Sequence, residues 1–210
     1  MSPQQMTEKI KIPQKKDELI LVVKRTDLFP GDAWHGISEV DLENVMQTIK
    51  TKKQFLWRSK MENDPSYKQI IPYLVFNWQD CYFLMQRKST ASEARLKNKY
   101  SLGIGGHIRQ EDIEGASIFD WARREFYEEV SFSGNLEIEP IGILNDDSNP
   151  VGQVHLGLVL LVRGDNGNIR VKSELKSGKL VNLDECTHLF DSLENWSQEV
   201  LKHLLQREKP

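Results

Sequence analysis

The stretch from Ser117 to Val130 constrains this chain more than any other. At about 100° per residue, Glu125, Glu128 and Glu129 fall on one helical face spanning roughly a third of the circumference. Ile118, Phe119, Ala122, Phe126 and Val130 fill the adjoining arc, with Glu129 at the border of the face to be buried. A helix patterned this way has to lay its apolar arc on another layer of structure. Its three clustered carboxylates repel one another, and like charges at i, i+4 destabilise a helix by about 0.2–0.5 kcal/mol. A hard cation such as Mg²⁺ converts that repulsion into coordination, which makes a metal-dependent site the first expectation. An acidic stripe alone is more often a solvated helix face, so its surroundings decide.

Those surroundings read as strands. Leu19–Val23 is strand-like, Phe29–Asp32 signals a turn, and a helix is expected from Ser38, with Ser38 and Asp41 resembling a capping box. Its apolar stripe is Leu42, Val45, Met46 and Ile49. Met61–Ser66 is polar and reads as a hinge. Tyr73–Phe76 and Tyr82–Met85 flank Asn77–Asp80 as a hairpin, and a basic segment from Arg87 to Lys99 then leads into Gly105-Gly106-His107. After the acidic helix, strands are expected at 136–143 and 153–162. Asp165-Asn166-Gly167 is expected to turn a hairpin into Ile169–Val171. Leu193, Trp196, Val200, Leu201 and Leu204 mark a last helix. Strands, one helix, more strands and a terminal helix predict an α/β/α sandwich around a mixed sheet rather than a doubly wound array. The expected division is residues 1–66 as an N-terminal α/β extension packing on a main domain of residues 67–206.

Composition narrows the classes of function. The net charge of −3 gives no bulk attraction to nucleic acid or anionic membranes, so neither a nucleic-acid polymer nor a membrane is an expected partner. Cys81 and Cys186 lack CxxC spacing and read as buried thiols of a reducing compartment. Met1–Lys16 lacks the apolar core of a signal peptide, and no apolar run approaches the roughly 20 residues that span a bilayer. A cytoplasmic location is the expectation. The motifs GxxxxGK[ST], HExxH and GxSxG are absent.

The residues around the glycine pair and the acidic helix resemble the Nudix hydrolases, whose signature is G-x5-E-x7-R-E-U-x-E-E-x-G-U, with U a bulky aliphatic residue. Gly106 matches the opening glycine, and Arg124–Glu129 matches R-E-U-x-E-E with Phe126 at the aliphatic place. The stretches Ile104–Ile108 and Leu144–Gly157 are more specifically similar to a group of longer bacterial Nudix proteins labelled as phosphoesterases. Two departures stand out. The interval from Gly106 to Arg124 is four residues longer than the pattern, leaving Glu111, Asp112 or Glu114 to stand for its first glutamate, and Ser131 replaces the closing glycine, with Gly134 slightly later.

The resemblance implies Mg²⁺-dependent hydrolysis, with Mn²⁺ as an alternative ion, of a pyrophosphate bond in a nucleoside diphosphate linked to another moiety. The partner is then a small-molecule diphosphate, and a homodimer fits the fold. It further implies that Glu125, Glu128 and Glu129 hold metal, helped by the backbone carbonyl of Gly105, while Arg124 pairs with a carboxylate and fixes its direction. Water attacking an anionic phosphorus needs cations to screen charge and lower its pKa. Glu174 is a candidate general base, and Asp146 and Asp147 are others, although ordinary surface carboxylates are the blander reading of all three. His107 and His155 read as hydrogen-bonded core groups. Arg87, Lys88, Arg95, Lys97 and Lys99 are either phosphate-gripping or simply solvated, and Trp34, Trp57 and Trp78 are expected in packing rather than stacking on a base. Two rivals remain: a non-catalytic ligand-binding module of the same fold, and an enzyme like isopentenyl diphosphate isomerase, for which Cys81 would have to lie beside the glycine–histidine loop.

Overall fold

The computed structural model describes residues 17–39, 42–87, 99–113, 117–172 and 175–208. Its centre is a pair of strands, β4 (Tyr67–Trp78) and β10 (His155–Gly164), running parallel in unbroken register from Gln69↔His155 to Asn77↔Arg163. Both are buried along nearly their whole length, which is why they read as continuous apolar runs instead of alternating ones. Antiparallel neighbours extend the sheet in the order β12 (Leu175–Val181), β5 (Cys81–Arg87), β4, β10, β9 (Leu136–Asn145) and β2 (Gly36–Ser38).

Helices cover both faces. Against one lie α2 (Leu42–Lys52) and α4 (Ile118–Glu129), with Val45, Ile49, Trp121 and Phe126 in a core shared with Leu74, Phe76 and Leu158. Against the other lie α6 (Leu183–His188) and α7 (Asn195–Arg207), with Cys186, Val200, Leu201 and Leu204 packed on Val75, Leu84 and Val159. The molecule is therefore the α/β/α sandwich around a mixed sheet expected from the order of its elements. The early part of the chain joins the same sheet: β1 (Leu19–Lys24) pairs with β4 and with β3 (Gln54–Trp57), and β2 pairs with β9. Two short helices, α1 (Arg25–Leu28) and α3 (Arg58–Met61), follow β1 and β3.

Three local expectations are corrected. Asp165-Asn166-Gly167 does not close a hairpin: β11 (Ile169–Val171) pairs with β8 (Val130–Phe132), not with β10. The turn residues bond sideways instead, Asp165 Oδ2 accepting from Asn135 N at 3.0 Å and Asn166 Nδ2 donating to Ser133 O at 2.9 Å. The strand expected from 153 starts at His155, because Pro150 sits at the first helical position and Asn149 caps Gly152 N at 3.0 Å to give the short helix α5 (Pro150–Val154). Ser131 needs no glycine, since Val130 leaves α4 in extended backbone (φ −128°, ψ 155°) and the chain continues directly into β8. The Ser38–Asp41 capping box falls partly outside the described residues.

Candidate active site

Strand β4 begins the site. Its Tyr73 pairs with Gly105 of β7 (Ile104–Gly105), and the chain then crosses α4 through Gly106. A Cβ on Gly106 would lie 2.5 Å from Glu125 Oε1, so a side chain there would push the Glu125 carboxylate aside. The helix is fixed at its start by a reciprocal cap, with Asp120 N donating to Ser117 Oγ at 3.1 Å and Ser117 N to Asp120 Oδ2 at 2.9 Å.

Glu125 is half-buried, and its carboxyl is pushed up to about 7, chiefly by burial and then by the charges of Glu128 and Glu129. Glu128 is exposed and Glu129 half-buried. Arg124 reaches two carboxylates: Nη2 donates to Asp112 Oδ1 at 2.7 Å, and Nε lies 3.4 Å from Glu128 Oε1. Asp112 is buried, accepting from Arg109 N at 2.9 Å, from the Arg109 guanidinium and from the Trp121 indole at 3.2 Å. Burial raises its pKa, but the bonds from Arg109 and Arg124 outweigh that and hold it at about 2. Among the three substitutes for the pattern's first glutamate, Asp112 is the one that meets Arg124; Glu111 is exposed beside Arg109, and Glu114 lies outside the described residues. The Gly106–Arg124 interval is four residues longer than the pattern, yet Asp112 and Arg124 still meet.

Across Gly105 and Gly106 from α4 opens a cavity of about 150 Å³. His107, Asp146, Asn149, His155, Glu194 and Trp196 supply most of its polar and aromatic lining. One wall is the segment 145–154, from the end of β9 through α5, held from beneath by Lys68, a fully buried ammonium. Its Nζ donates to Asp147 Oδ1 at 2.7 Å, Gly152 O at 2.7 Å and His155 O at 3.2 Å. Arg25 and Asn145 complete the shell of Asp147, and with Lys68 they hold its carboxyl well below the usual range against the opposing effect of burial. At the back, Tyr73 Oη donates to Glu194 Oε1 at 2.7 Å, and Ser101 Oγ lies 2.6 Å from the same oxygen. The histidines form a chain: Gln69 Oε1 to His107 Nε2 is 2.7 Å, and His107 Nε2 to His155 Nε2 is 3.3 Å. Gln69 Nε2 donates to Met61 O, which turns its oxygen towards His107 and leaves that nitrogen as the proton carrier.

The donor set suits a hard divalent cation, being carboxylates on one face of a helix beside the Gly105–Gly106 backbone. Among the described residues, no three acidic, imidazole or thiol groups converge into a ready-made ion site, and Glu128 leans towards Arg124 instead.

No protein-family model matches the chain. The crystal structure of Tm1382, assigned to the Nudix hydrolases, is 32% identical, covers 90% of this chain and 100% of its own, and superposes with a TM-score of 0.76. This chain belongs to the Nudix superfamily. Protein YmaB of Bacillus subtilis is 34% identical over 203 residues, 89% of this Nudix chain and 97% of its relative. At 14% identity, the MutT protein of Methanosarcina mazei (TM-score 0.51; 68% of this chain, 96% of its own) and the Shewanella oneidensis NrtR domain crystallised with ADP ribose (0.54; 68% and 89%) share the fold.

The remaining residues singled out in the sequence divide clearly. Glu174, Lys88, Arg95, Lys97 and the Arg87 side chain lie outside the described residues. Lys99 Nζ is spent on Asp191 O at 2.8 Å. Trp34 packs against Phe29 and donates to Ile143 O, Trp78 packs on Gly167, and Trp57 is exposed. Cys81 pairs with Trp78, five positions along β4 from the Tyr73–Gly105 pair, or roughly 16 Å of strand, so it cannot serve as a nucleophile beside the glycine–histidine loop. Sequence reasoning missed Lys68 and Trp196, because a lysine inside an apolar strand and a tryptophan in a helix stripe carry no signal of what they face.

Proposed function

We propose that this Nudix chain is a divalent-metal-dependent pyrophosphohydrolase that cleaves a nucleoside diphosphate linked to another moiety. The observation that carries the proposal is the crowding of Glu125, whose carboxyl is pushed up to about 7 by burial beside Glu128 and Glu129 while Gly106 lies against it. Such a group is costly to keep ionised alone and becomes favourable beside a cation. Glu125, Glu128 and Glu129 would hold Mg²⁺ or Mn²⁺, with the Gly105 carbonyl assisting. The ion supplies charge screening for the phosphates and a lowered pKa for water.

The chain's own groups supply the rest. Asp112 holds Arg124, which in turn orients the Glu128 carboxylate. Gly105 and Gly106 let a diphosphate pass close to backbone between α4 and the cavity. Asp147 is tied to two cations and serves as a structural anchor, and Asp146 is buried beneath Ser148 and Asn149, which leaves Glu174 as the candidate base. In this reading residues 67–206 are the hydrolase unit and residues 1–66 an extension packed on it, in a cytoplasmic homodimer. The NrtR neighbour's ADP ribose makes that compound a natural member of the substrate panel. The test is metal-dependent release of phosphomonoester from such a panel by native and Glu129→Gln proteins.

A further inference from the structure

We propose that the cavity beside Gly105 and Gly106 is a recognition pocket for a single amino-bearing nitrogen ring of pyrimidine size, and that Asp146 and Trp196 set its specificity. The inference rests on the hydrolase reading for its place in a substrate, but its chemistry is read from the cavity alone. Size comes first: the enclosed part of this open-mouthed space, about 150 Å³, matches a cavity that holds one six-membered ring.

Charge comes second. No lysine or arginine is among the described lining residues, whereas Asp146 and Glu194 both are. Glu194 stands at the start of α7, where its carboxylate offsets the positive end of the helix dipole. This lining favours a hydrogen-bond-donating ring over a phosphate, which belongs nearer the acidic helix. Third is the pattern of donors and acceptors. Asp146 is 2% exposed, with Oδ1 accepting from Ser148 N and Ser148 Oγ and Oδ2 from Asn149 Nδ2. A carboxylate offers about four acceptor positions, so one on Oδ2 is left for a ligand donor. An exocyclic amine fills it, as a carboxylate accepts from the N4 amine of cytosine, whereas the O4 of uracil would set oxygen against oxygen.

The walls are built rather than loose. Lys68 and Arg25 hold the Asp147 loop from beneath, and Trp196 is braced edge-on by Tyr73 at 5.6 Å, leaving an aromatic surface for a ring to lie against.

The experiment is saturation-transfer NMR on the full-length, metal-free protein with cytosine, uracil and inorganic phosphate. Cytosine is expected to bind at least about fivefold more tightly than uracil and to resist displacement by phosphate. Asp146→Asn should abolish that preference, and Trp196→Ala should weaken cytosine at least about fivefold through lost stacking. The native protein's preference between the two bases decides even if a variant fails to fold. Equal binding of uracil, displacement by phosphate, or no cytosine signal overturns the proposal. Turnover of the native protein separates the two readings: absent cytosine binding with metal-dependent hydrolysis intact overturns this inference alone, while cytosine binding without any hydrolysis supports it and overturns only the hydrolase reading.

Discussion

Gly106 and Glu125 are in such close contact that a single methyl group would separate them: a Cβ at Gly106 would stand 2.5 Å from Glu125 Oε1. This contact joins the loop that follows β7 to the face of α4 that carries the acidic cluster. Gly106→Ala should therefore swing the carboxylate aside, cost less than about 1 kcal/mol in stability and lower metal-dependent turnover at least tenfold. Adding Glu125→Ala removes the clash, so the small loss at Gly106 should vanish in the double variant. Thermal melts of the single and double variants check this, and simple additivity would contradict it.

The raised pKa of Glu125 makes stability depend on pH in a stated direction. Its folded pKa is about 7 against an unfolded 4.5, so the folded state prefers the proton. The penalty for ionising it is absent below pH 4.5, grows through the window between the two values and is complete above pH 7. Glu125→Gln should accordingly raise the melting temperature of metal-free protein at pH 8 and leave it nearly unchanged at pH 5. Mg²⁺ must displace that proton, so its stabilising effect should strengthen from pH 6 to pH 8.

Asp112 behaves in the opposite sense. With its folded pKa held at about 2, below the ordinary 3.8 of an aspartate, its stabilising contribution is present above pH 4 and lost as pH falls towards 2. Asp112→Asn should cost about 2–3 kcal/mol near neutrality and flatten the acid limb of the stability profile. Urea unfolding at pH 3 and pH 7 measures both effects. Turnover should fall too, because Arg124 loses the bond that aims it at Glu128.

Much of this was legible in one dimension. The apolar arc of α4, the hairpin from β4 to β5 and the terminal helix all follow from periodicity, and Gly106 with Arg124–Glu129 pointed to the family that the comparison with Tm1382 shows. What sequence left open depended on contacts between distant segments. Asp112 meets Arg124 across a lengthened loop, and spacing alone could not choose it over Glu111 or Glu114. Lys68 sits in an apolar strand next to a carboxylate 79 positions away. Asp165–Gly167 carries hairpin residues, yet its side chains bond to the 133–135 loop and β11 finds β8 instead.

Lys68 gives the sharpest prediction away from the acidic helix. Lys68→Met removes three hydrogen bonds from a fully buried position and leaves the carbonyls of Gly152 and His155 without that donor. A loss of about 3 kcal/mol is expected, with faster hydrogen exchange concentrated in residues 145–154 and none added in α4. Uniform loosening of the whole molecule would show that the ammonium supports the sheet in general and not this wall.

The most direct measurement is phosphomonoester release with Mg²⁺ or Mn²⁺ from ADP ribose, NADH, nucleotide sugars, coenzyme A, dinucleoside polyphosphates and nucleoside triphosphates. Native protein should cleave at least one class, and Glu129→Gln, folded and equally stable, should be slower by orders of magnitude. Undiminished turnover in Glu129→Gln, or silence of the folded native protein across the whole panel, would contradict a metal-dependent hydrolase centred on Glu125, Glu128 and Glu129.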